Sequence, residues 1–283
     1  MMKGRSSLGR QLMHVFAGFV LLYGVLAGLM FVFQSHLVYF PDKEMTCSPH
    51  DVNLPYEAVF FHTRDRIEIA AWFVPAEQSR GVVLICHGNG GNISHRMPLI
   101  RILNDLSLSC LIFDYRGYGN SAGKPTEEGT YRDAEAAWHY LVDTRGIDAR
   151  NIVILGKSLG GAVAARLARE HTPAALIVQS TFTSLTELGQ TVYPFLPVRL
   201  LSRFNYGTAE YLRGVNCPVL IMHSRQDEIV PYSHGCELFR VAGQPKEFVE
   251  MEGDHNSGFI VSESRFREGI SGFLRQHLPG WPR

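Results

Sequence analysis

The chain has 283 residues, enough for one α/β domain of ordinary size and a short appendage. Lys and Arg total 27, as do Asp and Glu, so the formal net charge is zero and no basic or acidic excess points to nucleic acid. The five cysteines form no Cys-x-x-Cys pair and no Cys/His pattern typical of zinc. We therefore expect no metal, no organic cofactor and no nucleic-acid partner, while the oligomeric state stays open.

The first 36 residues predict a membrane anchor. Residues 15–33 are uncharged and largely apolar, about the length that crosses a bilayer as a helix. Because basic residues precede this stretch, the positive-inside rule places residues 1–36 as a cytoplasmic stub and single-pass transmembrane anchor, and residues 37–283 on the non-cytoplasmic side, the periplasm in a bacterium. The basic residues are Lys3, Arg5 and Arg10. A cleaved signal peptide and a buried core helix are the alternatives; the absence of a small-x-small cleavage site and of a polar face, respectively, disfavours them.

The following domain alternates strands and helices. Residues 60–75 predict an antiparallel hairpin, and residues 82–86 predict a buried strand that runs into the loop His87-Gly-Asn-Gly-Gly-Asn92. Residues 111–114 predict another strand, which leads into a glycine-rich turn and a helix. The alternation continues to a closing helix near residues 264–277, a pattern typical of a sheet covered by helices on both faces.

The most informative segment is residues 151–161, an apolar run that breaks into Gly156-Lys-Ser158-Leu-Gly160 and continues as an Ala-rich helix. A strand-to-helix turn of this kind strains the backbone at the serine and exposes its Oγ, and the two glycines let neighbouring chain pass close by. The Gly-Lys-Ser triplet also resembles the end of a phosphate-binding loop. That loop requires a glycine at position 151, where the chain has Asn151, so the segment predicts a nucleophilic serine instead.

Two later loops carry candidates for an acid and a base. Asp227 follows a predicted strand at residues 217–223, and His255 follows another at residues 246–251. The order Ser158, Asp227, His255 is the order of the triad in α/β-hydrolases. His255 would act as general base, and Asp227 would hold its tautomer and stabilise the imidazolium. Two alternative acids are Glu228, the stronger rival, and Asp254, which is poorly placed to reach the ring of its own neighbour.

An oxyanion hole is expected from backbone N–H groups, so its sequence signal is glycine. We predict the N–H of Leu159, directly after the nucleophile, and the N–H of Asn89, with Gly90 as the alternative to Asn89. Removing one such donor typically raises the barrier by about 3 kcal/mol. His87 is expected to brace this loop.

Residues 181–213 form an insertion before the next predicted strand. Its mixture of aromatic, leucine and arginine residues predicts a short amphipathic lid over the pocket, and a packing segment that never contacts substrate is the alternative. Shortening residues 193–204 should alter acyl-chain-length preference if the segment is a lid.

Several motifs together resemble those of the Bem-type branch of α/β-hydrolases, which are membrane-anchored serine hydrolases. Besides the elbow and the loop at residues 87–92, the motifs are Leu37-Val-Tyr-Phe-Pro41, Asp114-Tyr-Arg-Gly-Tyr-Gly119, Ser180-Thr-Phe-Thr-Ser184 and Gly253-Asp-His-Asn256. The chain is also similar to the catalytic domain of prolyl oligopeptidases, without room for their propeller. The resemblance implies Ser158, Asp227 and His255 as the triad. Some members of this branch are thioesterases that remove acyl groups from protein cysteines.

These features predict an α/β protein with the α/β-hydrolase fold: a mostly parallel central sheet covered by helices on both faces, with one N-terminal transmembrane helix. The expected function is that of a serine hydrolase at the membrane, which cleaves carboxylic esters or thioesters of small-molecule or acylated substrates through an acyl-enzyme. One alternative is a serine peptidase of the prolyl-oligopeptidase type. Another is a catalytically silent membrane-anchored scaffold, which would not need nucleophile, base, acid and oxyanion loop together.

Overall fold

The computed structural model describes residues 5–278. Its helices are α1 (Arg5–Val32), α2 (Gln34–Val38), α3 (Met97–Asp105), α4 (Glu127–His139), α5 (Leu159–Glu170), α6 (Leu185–Val192), α7 (Val198–Leu201), α8 (Thr208–Leu212), α9 (Tyr232–Val241), α10 (Gly258–Val261) and α11 (Glu263–His277). Its strands are β1 (Phe40–Pro41), β2 (Glu57–His62), β3 (Glu68–Val74), β4 (Val82–Cys86), β5 (Gly90–Gly91), β6 (Ser109–Phe113), β7 (Ile152–Lys157), β8 (Ala175–Gln179), β9 (Val219–Ser224) and β10 (Lys246–Met251).

The central sheet has eight strands in the order β10-β9-β8-β7-β4-β6-β3-β2. The predicted hairpin is β2 and β3, which pair antiparallel, and β3 is also antiparallel to β6. All other neighbours in this sheet are parallel. The predicted fold class is therefore confirmed. Because the carboxyl ends of parallel strands lie at one edge, the loops after β4, β7, β9 and β10 all leave the sheet on the same side.

Apolar side chains from alternating positions of each central strand pack on opposite faces of the sheet. In β7, Ile152 and Ile154 pack on the face covered by α4 and α5, whereas Val153 and Leu155 pack on the face covered by α3 and α11. Burying each such side chain contributes about 2 kcal/mol. Strands buried on both faces read as continuous apolar runs, which is why the sequence shows them so clearly.

The N-terminal helix stands apart from this core. Within α1, Gly9–Val32 is long and apolar enough to cross a membrane by length and composition, and none of its most apolar window is buried. The chain then turns through α2 and enters the domain, where Phe40 and Pro41 pair in parallel with Gly90 and Gly91. The segment that follows the helix is thereby fixed to the glycine-rich loop.

The insertion between β8 and β9 has two parts. Residues 185–201, which comprise α6 and α7 and are called the lid hairpin here, lie on the surface near the start of the domain. In contrast, α8 is packed in the core, with Tyr211 and Leu212 buried. The predicted insertion at residues 181–213 thus includes a core helix at its end, because the buried face of a helix this short is hard to recognise in sequence.

Candidate active site

Ser158 occupies the sharp turn between β7 and α5. Its backbone is in a strained conformation, with φ 55° and ψ −123°. The turn is possible because its flanking glycines lie against other backbone: a Cβ on Gly160 would overlap the carbonyl of Cys86, and a Cβ on Gly156 would overlap the carbonyl of Gly160. Strain of this kind persists where the surrounding structure holds it, as at a nucleophile elbow.

The three side chains predicted as a triad lie in one hydrogen-bonded chain. The Nε2 of His255 lies 3.0 Å from the Oγ of Ser158, and its Nδ1 lies 2.8 Å from an Oδ of Asp227. Since the carboxylate can only accept, Nδ1 carries the proton and Nε2 is free to accept from the serine hydroxyl. All three residues are buried. Neighbouring helices and loops therefore shield this chain from bulk water.

The carboxyl group of Asp227 is held in its charged form. Burial alone would raise its pKa, but the hydrogen bond and charge of His255, together with the Val230 N–H, keep the pKa below its usual value. The N–H groups of Ile229 and Val230 both donate to one of its oxygens, at 3.1 and 2.7 Å. This leaves a fixed acceptor for the imidazole.

The rival acids have other partners. Glu228 accepts the backbone N–H of His255 at 3.0 Å, so that it holds the loop and does not contact the ring. Asp254 accepts the N–H groups of Asn256 and Ser257, which closes the turn after the histidine. Of the three carboxylates, Asp227 is thus the one that contacts the imidazole.

The glycine-rich loop at residues 87–92 and the start of α5 lie beside Ser158. Leu159 is the first residue of α5, so its N–H lies outside the hydrogen-bond ladder of the helix. The carbonyl of Gly88 contacts the Nδ1 of His87 at 2.7 Å, and in a trans peptide the N–H of Asn89 then points the opposite way. Gly88, Asn89 and Leu159 line the same cavity as Ser158. Both N–H groups thus belong to residues on the wall of this cavity.

The cavity above Ser158 has a volume of about 540 Å³. A larger groove of about 830 Å³ lies over α4, but neither Ser158 nor His255 lines it. The cavity at Ser158 is apolar over most of its wall and cationic near the reacting groups, where Arg96 and Lys157 reach it. Its apolar lining comprises Leu37, Val38, Phe40, Phe182, Leu185, Leu188, Val192, Tyr193, Ile229 and Val230.

Comparisons with known proteins bear on the fold and the family of the chain. The family model described as serine aminopeptidase, S33, matches residues 77–208, a range that contains Ser158 but neither Asp227 nor His255. The esterase Pf2001 of Pyrococcus furiosus has a similar fold, with a TM-score of 0.73 at 22% identity over 85% of this chain and 98% of the esterase.

Relatives with higher identity span almost the whole molecule. An uncharacterized protein of Mycobacterium tuberculosis is 37% identical over 88% of this chain and 90% of its own length. The α/β hydrolase domain-containing protein WAV2 of Arabidopsis thaliana is 36% identical over 90% of this chain and 92% of its length. Protein bem46 of Schizosaccharomyces pombe is 33% identical over 78% of each chain. This chain belongs to the Bem46-type α/β-hydrolase family.

In this Bem46-type hydrolase, the segment after the N-terminal helix braces the glycine-rich loop at residues 87–92. The carbonyl of Asn89 accepts from the N–H of Phe40 and from the hydroxyl of Tyr118, at 3.0 and 2.7 Å. The side-chain amide of Asn89 donates to the carbonyl of Val38 at 2.9 Å. Nothing in the spacing of residues 37–41 indicates these contacts.

A buried polar pair lies beneath the same loop. His87 is fully buried and burial lowers its pKa to about 3, so the ring is neutral when it contacts Gly88. Its Nε2 lies 3.7 Å from Asp114, whose pKa burial raises to about 7 against the opposing effects of the Ile93 N–H and Arg96. Arg96 in turn donates to the carbonyl of Gly90. The groups that support the loop from below are thus the neutral imidazole of His87, the Asp114 carboxyl with its pKa near neutral pH, and the guanidinium of Arg96.

The raised pKa of Asp114 predicts a pH-dependent stability. The folded state keeps this proton up to about pH 7 and the unfolded chain loses it near pH 4, so the contribution to stability is present at low pH and is lost as the pH rises through 7. As the pH rises from about 5 to about 8, we expect the free energy of unfolding of the Asp114→Asn variant to fall less than that of the parent. Melting temperatures across this range measure the difference, with Glu77→Gln at an exposed site as control. Parallel profiles for parent and Asp114→Asn would contradict the prediction.

Lys157 joins the nucleophile strand to the histidine loop. Its ammonium donates to the carbonyl of Asn256 at 3.1 Å and lies 4.9 Å from the ring centre of Phe259. Burial, together with the charge of Arg96, lowers its pKa to about 8. This contact has no signature in the sequence, where Lys157 stands only as the middle residue of a Gly-Lys-Ser triplet.

Proposed function

We propose that this α/β-hydrolase cleaves carboxylic ester or thioester bonds through an acyl-enzyme. The observation that carries the proposal is the continuous hydrogen-bonded chain from Ser158 through His255 to Asp227, at the floor of a largely apolar cavity. An activated serine beside an apolar cavity suits a substrate with an acyl chain.

In the proposed acylation, His255 Nε2 takes the proton of Ser158 as Oγ attacks the carbonyl carbon. Asp227 stabilises the resulting imidazolium through the hydrogen bond at Nδ1. The carbonyl oxygen becomes anionic and accepts from the N–H groups of Leu159 and Asn89. His255 then gives its proton to the leaving alcohol or thiol as the bond to the carbonyl carbon breaks.

Deacylation repeats these roles with water. His255 removes a proton from water, the hydroxide attacks the acyl carbon, and the acid product leaves as the proton returns to the Oγ of Ser158. Every step uses groups that the described residues supply.

The family model raises a second candidate, an aminopeptidase, which the charge of the cavity disfavours. An aminopeptidase must hold the α-ammonium group of its substrate, for which a carboxylate is the ordinary partner. Within residues 5–278, no Asp or Glu lines the cavity at Ser158, whereas Arg96 and Lys157 do. A silent scaffold is disfavoured by the Ser158–His255–Asp227 geometry, because binding does not require an aligned nucleophile and base.

The anchoring of the enzyme is also a proposal. The length and composition of Gly9–Val32 support a single membrane span. Lys3, Arg5 and Arg10 before it support a cytoplasmic N-terminus, which would place the hydrolase domain on the opposite side of the membrane.

The experiment that separates the candidates compares two substrate series on the purified full-length chain in detergent. We expect turnover of p-nitrophenyl esters, with a preference for medium or long acyl chains, and little turnover of aminoacyl p-nitroanilides of similar size. Faster cleavage of the anilides would favour the peptidase. Absence of turnover of both series by folded protein would favour the scaffold.

A further inference from the structure

The lid hairpin is attached to the N-terminal helix at successive levels. The hydroxyl of Tyr23 donates to the carbonyl of Phe195 at 2.9 Å. Near the end of α1, the guanidinium of Arg203, two residues past the lid hairpin, lies 5.3 Å from the ring centre of Phe31. The side-chain amide of Gln34, which begins α2, donates to the carbonyl of Leu201 at 2.5 Å, and its oxygen accepts from the N–H of Arg203 at 2.8 Å. The hairpin therefore runs along the helix, with its tip, residues 193–197, farthest from the domain.

The length of α1 determines how deep this tip would lie. The residues between Arg10 and Phe33 make about 33 Å of helix, close to the roughly 30 Å of a hydrocarbon core. Tyr23 lies about 14 Å along the axis before Val32. If the helix left the bilayer at Tyr23, only about 20 Å of apolar helix would remain, which is too short to span. A spanning α1 consequently carries its contact with Phe195 into the hydrocarbon.

The tip has the chemistry that this location requires. The exposed side chains of the tip are apolar: Phe195 is 60% exposed, and Pro194 and Pro197 are exposed beside it. The first exposed charge after the tip is Arg199, on α7, where the hairpin returns towards the domain, and its guanidinium donates to the side chain of Gln190 at 3.0 Å. Pro194 and Pro197 have no N–H to satisfy, and the N–H of Leu196 donates to the carbonyl of Tyr193 at 3.0 Å. The carbonyl of Phe195 is satisfied by Tyr23. Backbone groups in hydrocarbon must have hydrogen-bond partners within the protein. The groups of the tip named above either have such a partner or, at the two prolines, need none.

A second apolar cavity adjoins the catalytic one. This smaller cavity of about 120 Å³ lies between the lid hairpin, α2 and the end of α1, with Met30 and Leu201 on its wall. It shares Leu37, Val38, Leu185, Gly189 and Tyr193 with the cavity that contains Ser158. The same apolar side chains of α2 and the lid hairpin therefore line both the cavity beside α1 and the cavity at Ser158.

We propose that the tip of the lid hairpin inserts into the membrane leaflet next to the hydrolase domain, and that the acyl chain of a leaflet-resident ester reaches Ser158 between α2 and the lid hairpin, where the two cavities adjoin. The occupant of the exposed apolar surface is the lipid bilayer, because that surface continues the face of α1, the helix for which a membrane span is proposed above. Arg203, at the level of Phe31, lies where lipid headgroups begin. The second half of the proposal rests on the hydrolase function proposed for Ser158.

Insertion is tested without reference to activity. The full-length chain with Cys47→Ser and Cys236→Ser carries a single new cysteine, Phe195→Cys, labelled with an environment-sensitive fluorophore and reconstituted into phosphatidylcholine vesicles. We expect a blue-shifted emission that nitroxides on the lipid acyl chains quench and aqueous iodide does not. Arg150→Cys is the control, because it precedes β7 at the opposite edge of the sheet and should show the reverse. Quenching of position 195 by iodide alone would overturn insertion.

The substrate route is tested with Phe195→Glu, at a residue that does not line the catalytic cavity. A carboxylate at the tip should lower hydrolysis of 4-methylumbelliferyl palmitate in vesicles by about 10-fold or more and leave soluble p-nitrophenyl butyrate unaffected. Arg150→Glu should change neither rate. Equal palmitate rates in the parent and the Phe195→Glu variant would overturn the route. A parent that cannot cleave the butyrate would overturn the proposed function and the route with it, while fluorescence quenching would still decide insertion.

Discussion

Replacing Ser158 with alanine is expected to abolish covalent labelling by a fluorophosphonate and to lower kcat/KM for a p-nitrophenyl ester on the order of 10⁵-fold. The reason is that the Oγ at the elbow is the only atom in the hydrogen-bonded chain that can form the acyl-enzyme. The substitution removes one oxygen and leaves the turn glycines unchanged, so the fold should be retained. Gel fluorescence measures the labelling, and initial rates measure the loss.

His255→Ala should reduce ester turnover to a similar degree, because nucleophile and base act as one unit and their losses do not add. The ester turnover of the double variant should therefore be no lower than that of either single variant. Labelling that persists in a folded Ser158→Ala variant would show that another nucleophile reacts and would refute the assignment.

Asp227→Asn is expected to lower kcat by about 10⁴-fold with little change in KM. An asparagine of the same size can donate to Nδ1 of His255, so the ring would adopt the tautomer that carries its proton on Nε2 and could not accept from Ser158. The melting temperature should change little, since the N–H groups of Ile229 and Val230 can still bond to the amide oxygen.

Glu228→Gln is the matched control for this prediction. Glu228 contacts the backbone N–H of His255, and a glutamine oxygen can accept the same bond. We therefore expect kcat to stay close to that of the parent. A greater loss in Glu228→Gln than in Asp227→Asn would mean that the rival acid serves the triad.

Much of the candidate site could be predicted because each part has a local signature. Ser158 stands between an apolar strand and a small-residue helix, and its glycines are required by close backbone approaches that the structure contains. Asp227 and His255 each follow a strand, and parallel strands bring their carboxyl ends to one edge. The order of the three residues along the chain indicates the α/β-hydrolase fold, which the sheet topology confirms.

Other features depend on contacts between distant segments, which spacing does not encode. The choice between Asp227 and Glu228 depends on which carboxylate faces the ring and which faces the backbone. The brace on Asn89 joins it to Val38 and Phe40, about fifty positions earlier in the chain. The burial of α8 could not be predicted either, since a helix this short shows too little periodicity.

The sequence by itself determined the hydrolase fold, the serine at the strand-to-helix turn, the order of Ser158, Asp227 and His255 after their strands, and the apolar N-terminal helix, because turn chemistry, strand hydrophobicity and segment length are local properties. The tertiary structure decided the partner of each carboxylate, the support of the glycine-rich loop and the path of the lid hairpin along α1. The physical reason is that hydrogen-bond partners and cavity walls are set by how distant segments pack. The contact of Tyr23 with Phe195, 172 positions apart, is of this kind and has no signature in either segment alone.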